Sequence, residues 1–299
     1  MSPRDAQETP RLTAAYWAYR ALERVSMTVP EVVGLPLFRG LGALAYATLP
    51  GVRSTVASNQ ARVLGLDPEA PLVRAATREA FALYARYWYD TFRIRAFPAS
   101  EVLRRTRMEG NENVDRALEA GHGCICVMPH MGNYDVAGHW MAVNGYPIAA
   151  VAEVLEPARL FELFVRHREE LGMKVVPLRA GTHVGQQLAG LLAANWLIAL
   201  VADRDLSGRG IAVEMFGTTR MVPAGPALLS LSTGAPLLVC DSYTSGDGWT
   251  VRIGSPLEIE RTGIVRQDVA ELTRLMALRF ERSIAAKPTD WHMFQPAWS

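Results

Sequence analysis

The chain has 299 residues, of which 49% are hydrophobic and 20% are charged, and its formal net charge is +1. This balance is typical of a globular protein and excludes a disordered or fibrous chain. The near-neutral charge argues against a general nucleic-acid binder. The three cysteines provide no disulfide framework and indicate a reducing compartment.

Residues 10–100 are expected to be mainly helical. They carry aromatic and leucine side chains on apolar faces, with arginines between them. This mixture is found in a helical layer packed on a sheet, and also in an element that buries aromatic rings among lipid headgroups. We expect no signal peptide and no membrane-spanning helix. The long uncharged stretches, 180–202 and 221–240, contain amides, glycines or prolines that suit a spanning helix poorly.

From Gly121 onward, apolar strand-like segments alternate with helical ones. Strands are predicted over 123–129, 147–154, 174–178, 196–202, 235–243 and 249–256, and helices over 134–144, 157–172, 182–194, 225–233 and 264–286. The alternation predicts an α/β fold with a mostly parallel central sheet flanked by helices, beside the N-terminal helical layer. We predict one domain over 1–299, mainly helical over 1–100 and with an α/β core over 101–299.

A histidine follows the first strand of this core directly. His130 opens the segment His130-Met131-Gly132-Asn133-Tyr134-Asp135 between strand and helix, where open α/β sheets bind ligands. An imidazole there can act as a general base near neutral pH. The Asp135 carboxylate can fix the tautomer of the His130 ring only if residues 131–134 form a loop. In a helix, five steps would point the two side chains in different directions.

Two later segments also point to a site. Asp203-Arg204-Asp205 follows the fourth strand and is either a solvated strand end or part of a site. Gly225 and Pro226 begin a helix whose free N–H groups can hold an anion or a developing oxyanion.

Other kinds of site are not indicated. A metal site has to be considered because His122, Cys124, Cys126 and His130 fall on one face of an extended strand. However, Cys-x-Cys is not zinc-finger spacing, and that face is expected to point into the core. The sequence has no GxGxxG after a strand, no GxxxxGK[ST] and no GxSxG, so the usual dinucleotide, P-loop and α/β-hydrolase sites are not expected. We predict no metal and no cofactor.

In combination, these residues resemble the bacterial lipid A biosynthesis acyltransferase family of the glycerolipid acyltransferase superfamily, and within it the phosphatidylinositol mannoside acyltransferases of actinobacteria. The H-x4-D spacing of His130 and Asp135, in PHMGNYD, is similar to the family hallmark. The resemblance covers roughly residues 55–296. It also rests on SNQARVLG (58–65), VAEVLEP (151–157), FVRHREELGM (164–173), VADRDL (201–206), MFG (215–217), PAGPA (223–227) and DWHMFQPAW (290–298).

The resemblance implies transfer of a fatty acyl chain from acyl-CoA, or from acyl carrier protein, to a hydroxyl of a membrane glycolipid. His130 would be the base, with Asp135 and Asp203 as its acidic partners. The residues expected to bind substrate are Arg168 and Arg204, as cations for phosphates, together with Asn133 and Gly225. The uncharged stretches could line an apolar groove for the acyl chain. The partners would be acyl-CoA, the glycolipid acceptor and the inner-membrane surface, with no nucleic acid.

The resemblance further implies a peripheral protein on the cytoplasmic face of the plasma membrane. Three alternatives stay open. The acceptor could be lipid A, as in Gram-negative relatives, or water could replace the alcohol, as in a thioesterase. A non-catalytic lipid-binding protein of the same fold would have the groove but no need for His130.

Overall fold

The computed structural model describes residues 9–178, 184–205 and 208–298. Its first part contains the long helices α1 (Pro10–Thr28), α2 (Glu31–Thr48), α3 (Pro50–Leu64) and α4 (Pro71–Arg93), followed by the short helix α5 (Ala99–Arg105). Proline stands in the first turn of α1, α3 and α4, where its missing N–H costs no helical hydrogen bond.

Helix α4 is the centre of this helical layer and packs against α1, α2 and α3. Its last residue, Arg93, donates from Nη1 to the carbonyl oxygens of Ser26, Met27 and Val29 at 3.0–3.2 Å. These carbonyls lie at the end of α1, where helical partners are missing. One guanidinium therefore fixes the end of α1 against α4.

The strands are β1 (Thr106–Glu109), β2 (Cys124–Met128), β3 (Ile148–Glu153), β4 (Lys174–Leu178), β5 (Leu197–Val201), β6 (Ile211–Met215), β7 (Thr218–Val222), β8 (Leu237–Ser245) and β9 (Gly248–Pro256). Among the described residues, seven of them form one sheet in the order β1-β9-β8-β2-β5-β3-β4. Neighbouring strands of this sheet run parallel except β8 and β9. The predicted α/β class is therefore confirmed.

Helices cover both faces of the sheet. They are α6 (Glu112–Glu119), α7 (Tyr134–Val143), α8 (Ala158–Glu170), α9 (Val184–Ala193), α10 (Gly225–Thr233) and α11 (Val265–Ala286). Ile125 and Val127 of β2 are buried with residues of α9, α10 and α11, whereas Cys124 and Cys126 are buried with residues of α6 and α7. This alternation explains why β2 is apolar throughout, because a strand covered on both faces has no solvent side.

The strands and helices predicted from Gly121 onward begin and end within two residues of their predicted positions, as far as the described residues show. The first two residues of the predicted helix 182–194 lie outside the described part of the chain, as does Leu206 at the end of VADRDL. The antiparallel hairpin of β6 and β7 was not predicted. Its strands, IAVEM and TTRMV, alternate between buried and exposed side chains and pair only with each other, so no continuous apolar segment marks them.

Within the described ranges, no single helix is both long and apolar enough to span a membrane. Helices α2 and α3 meet that length and composition only as a pair, and the pair is bent by 97°.

Candidate active site

His130 lies at the carboxyl edge of the sheet, between the end of β2 and the start of α7. The turn that carries it depends on Gly132, whose φ is +58° and whose missing Cβ would collide with the carbonyl oxygen of Ser242. Such a backbone position favours glycine on both counts. The chain therefore leaves β2, turns at Gly132 and starts α7 within six residues.

Residues 290–298 cross this edge and are called the carboxyl-terminal strap below. The His292 N–H donates to the His130 carbonyl at 2.7 Å, and the Gly132 N–H donates to the Asp290 carbonyl at 3.0 Å. The His292 ring also donates from Nε2 to the Gly132 carbonyl at 2.9 Å. Burial lowers the pKa of His292 to about 4, so this ring is neutral near pH 7. The strap thus fixes the backbone on both sides of His130.

Asp203 is the carboxylate that contacts His130. Its Oδ1 lies 2.5 Å from His130 Nδ1, and its Oδ2 accepts a hydrogen bond from Trp291 Nε1 at 2.8 Å. The carboxylate is buried, and burial alone would raise its pKa. The charges of His130 and Arg220 and the hydrogen bonds from His130 and Trp291 outweigh burial, so the pKa of Asp203 lies below its usual value.

This arrangement selects one tautomer of the His130 ring. When Nδ1–H donates to a charged Asp203, the lone pair of the neutral imidazole lies on Nε2. The His130 side chain is 28% exposed, whereas that of Asp203 is 0% exposed. In this geometry a buried carboxylate orients the imidazole through Nδ1, and Nε2 is left to act as the base.

Asp135 has a different partner from the one expected. The structure pairs its Oδ1 with Arg168 Nε of α8 at 2.7 Å. Burial disfavours the Arg168 charge, but attraction to Asp135 outweighs it and raises the pKa of Arg168. Asp135 is the second residue of α7, and the helix directs its side chain toward α8. Arg168, expected to hold a phosphate, serves here as the counter-charge of a buried carboxylate, which is costly to bury alone.

The other expected substrate ligands occupy varied positions. Asn133 is 1% exposed, and its side chain caps α7 at Val136 N and donates to Thr91 Oγ1. These bonds give Asn133 a structural task instead of leaving it open to substrate. Gly225 is exposed at the start of α10.

Arg204 donates to Glu153 Oε2 at 2.7 Å and to Gln295 Oε1 at 2.5 Å. These two bonds use two of the five guanidinium N–H donors, so Arg204 keeps donors for a phosphate while it is held in place by Glu153 and Gln295. Its side chain is 27% exposed, so it is more accessible than that of Arg168, which is 16% exposed.

An apolar cavity lies beside the site, between α7 and the sheet. Its free volume is about 690 Å³, counted to the surrounding atoms and including its open mouth. Tyr134, Asp135 and Arg168 line it together with Met128, two residues before His130. The remaining walls are mainly small or sulfur-containing side chains, among them Cys126, Met141, Ala150, Met173 and Ala199. Of the uncharged stretches expected to line a groove, 180–202 contributes through β5 and 221–240 through Cys240 alone.

The cysteines do not offer a nucleophile. Cys124, Cys126 and Cys240 are free and buried. A hydrogen bond with Cys126 and burial raise the pKa of Cys124, which disfavours the thiolate. Over the described ranges, no group of three His, Cys, Asp or Glu side chains is arranged to hold a metal ion.

Sequence reasoning missed two residues that contact Asp203. Trp291 of the strap and Arg220 of β7, which donates to the Asp203 carbonyl oxygen, both support the strand end. The guanidinium of Arg220 also lies 5.4 Å from the centre of the Trp291 ring. Trp291 belongs to the segment DWHMFQPAW, but no pattern in that segment indicates which strand end it meets.

The chain is similar to known acyltransferases along nearly its whole length. The family model described as "Bacterial lipid A biosynthesis acyltransferase" matches residues 5–299. A phosphatidylinositol mannoside acyltransferase of Mycolicibacterium smegmatis is 38% identical over 281 residues, covering 94% of this chain and 90% of the relative. Another, from Mycobacterium tuberculosis strain H37Rv, is 35% identical over 302 residues, which cover 99% of this chain and 92% of that relative. This chain therefore belongs to the bacterial lipid A biosynthesis acyltransferase family.

Proposed function

We propose that the protein moves a fatty acyl chain from acyl-CoA to a mannose hydroxyl of a phosphatidylinositol mannoside, with His130 as general base. The observation that carries this proposal is the His130–Asp203 pair beside an apolar cavity: the His130 ring centre lies 6.4 Å from that of Tyr134, which lines the cavity. The names of the two similar mycobacterial relatives supply the acceptor class.

In this mechanism, His130 Nε2 takes the proton of the acceptor hydroxyl as its oxygen attacks the thioester carbonyl. Asp203 stabilises the imidazolium that forms. The tetrahedral intermediate then collapses, the C–S bond breaks, and the imidazolium returns its proton to the departing CoA sulfur. No enzyme nucleophile is needed, in keeping with the buried cysteines.

The tetrahedral intermediate needs hydrogen-bond donors for its oxyanion. Helix α10 precedes β8, which runs parallel to β2, so α10 begins at the same edge of the sheet as His130. Its first turn has no side-chain cap, and the backbone N–H of Gly225 is the donor we propose.

The cavity is proposed to hold the acyl chain, and filling it should change the preferred chain length. Ala199 faces the cavity two residues deeper along β5 than Val201. Ala199→Leu should displace about two methylenes, each contributing about 0.8 kcal/mol, so palmitoyl-CoA should lose about tenfold in kcat/KM relative to hexanoyl-CoA. Steady-state kinetics with both donors measures this ratio. The control is Ala189→Leu, at a half-buried position on α9, which covers the other face of the sheet. If Ala199→Leu leaves the ratio of kcat/KM for the two donors unchanged, the acyl chain binds elsewhere.

We also propose peripheral attachment to the cytoplasmic face of the plasma membrane. Val33, Leu37, Leu41 and Leu44 are exposed at helical spacing on α2 and are called the apolar patch below. Such a face suits insertion among lipid headgroups. Arg39 of the same helix is exposed and pairs with Glu79 only at 3.5 Å, so anionic lipid can attract it as well. Charge attraction of this kind weakens with salt.

Replacing Leu37 and Leu44 together by glutamate should abolish flotation of the protein with anionic liposomes at low salt, because two charges would enter the interface. Wild-type protein should float and be partly released by salt. Val265→Glu, an exposed position on α11, is the matched control. Equal flotation of all three proteins would overturn the assignment of this surface.

One assay tests the function itself. Purified protein is given palmitoyl-CoA with phosphatidylinositol mannosides or with lipid A precursors, and products are identified by mass spectrometry. Acylated phosphatidylinositol mannoside supports the proposal. Acylated lipid A precursor alone would change the acceptor, free palmitate alone would indicate a thioesterase, and bound but unreacted lipid would indicate a lipid-binding protein.

A further inference from the structure

A second, polar pocket lies between α3 and the carboxyl-terminal strap. Its free volume is about 540 Å³ including the open mouth. It is lined by Ser54, Thr55, Ser58 and Arg62 of α3 and by Pro296 and Trp298 of the strap, and is called the hydroxyl pocket below. Two segments on which the family resemblance rests, 58–65 and 290–298, meet at this pocket. None of the residues that line it takes part in the proposed catalytic steps.

The strap is held firmly at this position. The Asn59 amide donates to the carbonyl oxygens of Met293 and Gln295, both at 2.9 Å, and Asn59 Oδ1 accepts from the Ala297 N–H at 3.2 Å. Asn59 is itself buried. These three bonds fix the strap's path along α3, so the pocket is a built feature of the fold.

The pocket is rich in hydrogen-bond donors and has no carboxylate among its described lining residues. Arg62 is exposed, donates from Nη1 to Thr218 Oγ1, and lies 5.2 Å from the Trp298 ring centre. It has no acidic partner within the described part of the chain. Trp298 Nε1 is buried without a hydrogen-bond partner in that same part, although a buried indole N–H usually has one. The chemistry that fits is a ligand rich in acceptor oxygens and carrying negative charge.

The surroundings indicate which ligand this is. Helix α3 begins directly after Leu49, which is exposed and follows the apolar patch. At the other end, the strap runs from Trp298 back to His292, which bonds His130. Six residues of extended chain span at most about 22 Å. The pocket is therefore on the helix that follows the apolar patch and, through the strap, within about 22 Å of the residue that bonds the base.

We propose that the hydroxyl pocket binds the phosphate and polyol part of the acceptor headgroup, which lies between the lipid chains and the acylated sugar. This inference rests on the proposed function. Arg62 would pair with the phosphate, while the serine hydroxyls and the Trp298 indole would bond the polyol oxygens. The phosphates of CoA share this chemistry, and the experiment separates the two sources.

The test uses Arg62→Gln and, because Arg62 also contacts Trp298, a second variant, Ser58→Tyr, that fills the pocket from an exposed helix position. Losing one charge-assisted contact should raise the KM for phosphatidylinositol mannoside about tenfold or more. The KM for octyl mannoside, which lacks phosphoinositol, should not change, nor should the KM for palmitoyl-CoA. Arg74→Gln, an exposed arginine of α4, is the matched control.

Equal rises for both mannosides, or no rise in either variant, would overturn the proposal. A rise in the KM for palmitoyl-CoA instead would assign the pocket to the donor and overturn it as well. Direct binding of inositol 1-phosphate to the wild type, and its loss in Arg62→Gln, is measured by calorimetry. If no acceptor is acylated at all, the proposed function fails, and this binding measurement still decides whether the pocket takes a phosphorylated polyol.

Discussion

His130→Ala is expected to lower turnover by at least about 10²–10⁴-fold, which is the usual contribution of a general base. A sugar hydroxyl is a poor nucleophile at neutral pH, and His130 Nε2 is the basic atom that the Asp203 hydrogen bond leaves free. The variant should fold, because the side chain is 28% exposed and the strap contacts this residue through its backbone. Single-turnover kinetics with palmitoyl-CoA, alongside thermal unfolding, measures both effects.

Asp203→Asn should also lose turnover, but less than His130→Ala, because the base would remain with a poorer orientation. The losses of the double variant should not add, since residues that act as a unit fail together. Trp291→Phe removes the hydrogen bond to Asp203 and also leaves a cavity where the fully buried indole stood, so it should lower thermal stability. On the folded protein its loss of turnover should be the smallest of the three, because His130 and Asp203 both remain. A folded His130→Ala protein with near-normal transfer would refute the mechanism and favour the lipid-binding alternative.

Much of the α/β core could be predicted because its signals are local. The segment 123–129 is apolar throughout, and a strand buried on both faces has to be so. The position of His130 at a strand end follows from the same reading, because ligand sites of open α/β sheets lie there. The hairpin of β6 and β7 has no such signal, since its strands expose every other side chain and pair only with each other.

The partners within the site could not be read from spacing. The H-x4-D pattern suggested that Asp135 meets His130, but Asp135 pairs with Arg168, 33 positions away, and His130 with Asp203, 73 positions away. Trp291 reaches Asp203 across 88 positions. Which side chains meet at the carboxyl edge depends on strand order, and the order β8-β2-β5 that brings Asp203 beside His130 is a property of the whole sheet.

The different partners of Asp135 and Asp203 lead to different expected effects, and Asp135→Asn should act mainly on stability. It leaves the Arg168 charge buried without its counter-charge, and breaking a buried pair in this way costs about 3–5 kcal/mol of unfolding free energy. The Asp135 side chain is 3% exposed and that of Arg168 is 16% exposed, so water can replace little of the lost attraction. Urea unfolding of Asp135→Asn and Asp203→Asn, followed by kinetics on the folded fraction, separates the two roles.

Two controls make this test specific. Glu109→Gln breaks the pairs with Arg107 and Arg252 at the surface and should leave the free energy of unfolding nearly unchanged, because surface ion pairs contribute little. Combining Asp135→Asn with Arg168→Met removes both charges and should recover much of the lost stability, because an apolar replacement of a buried pair is often neutral or better. If Asp135→Asn is instead as stable as the wild type but as inactive as His130→Ala, then Asp135 acts in catalysis, and its pair with Arg168 does not account for its role.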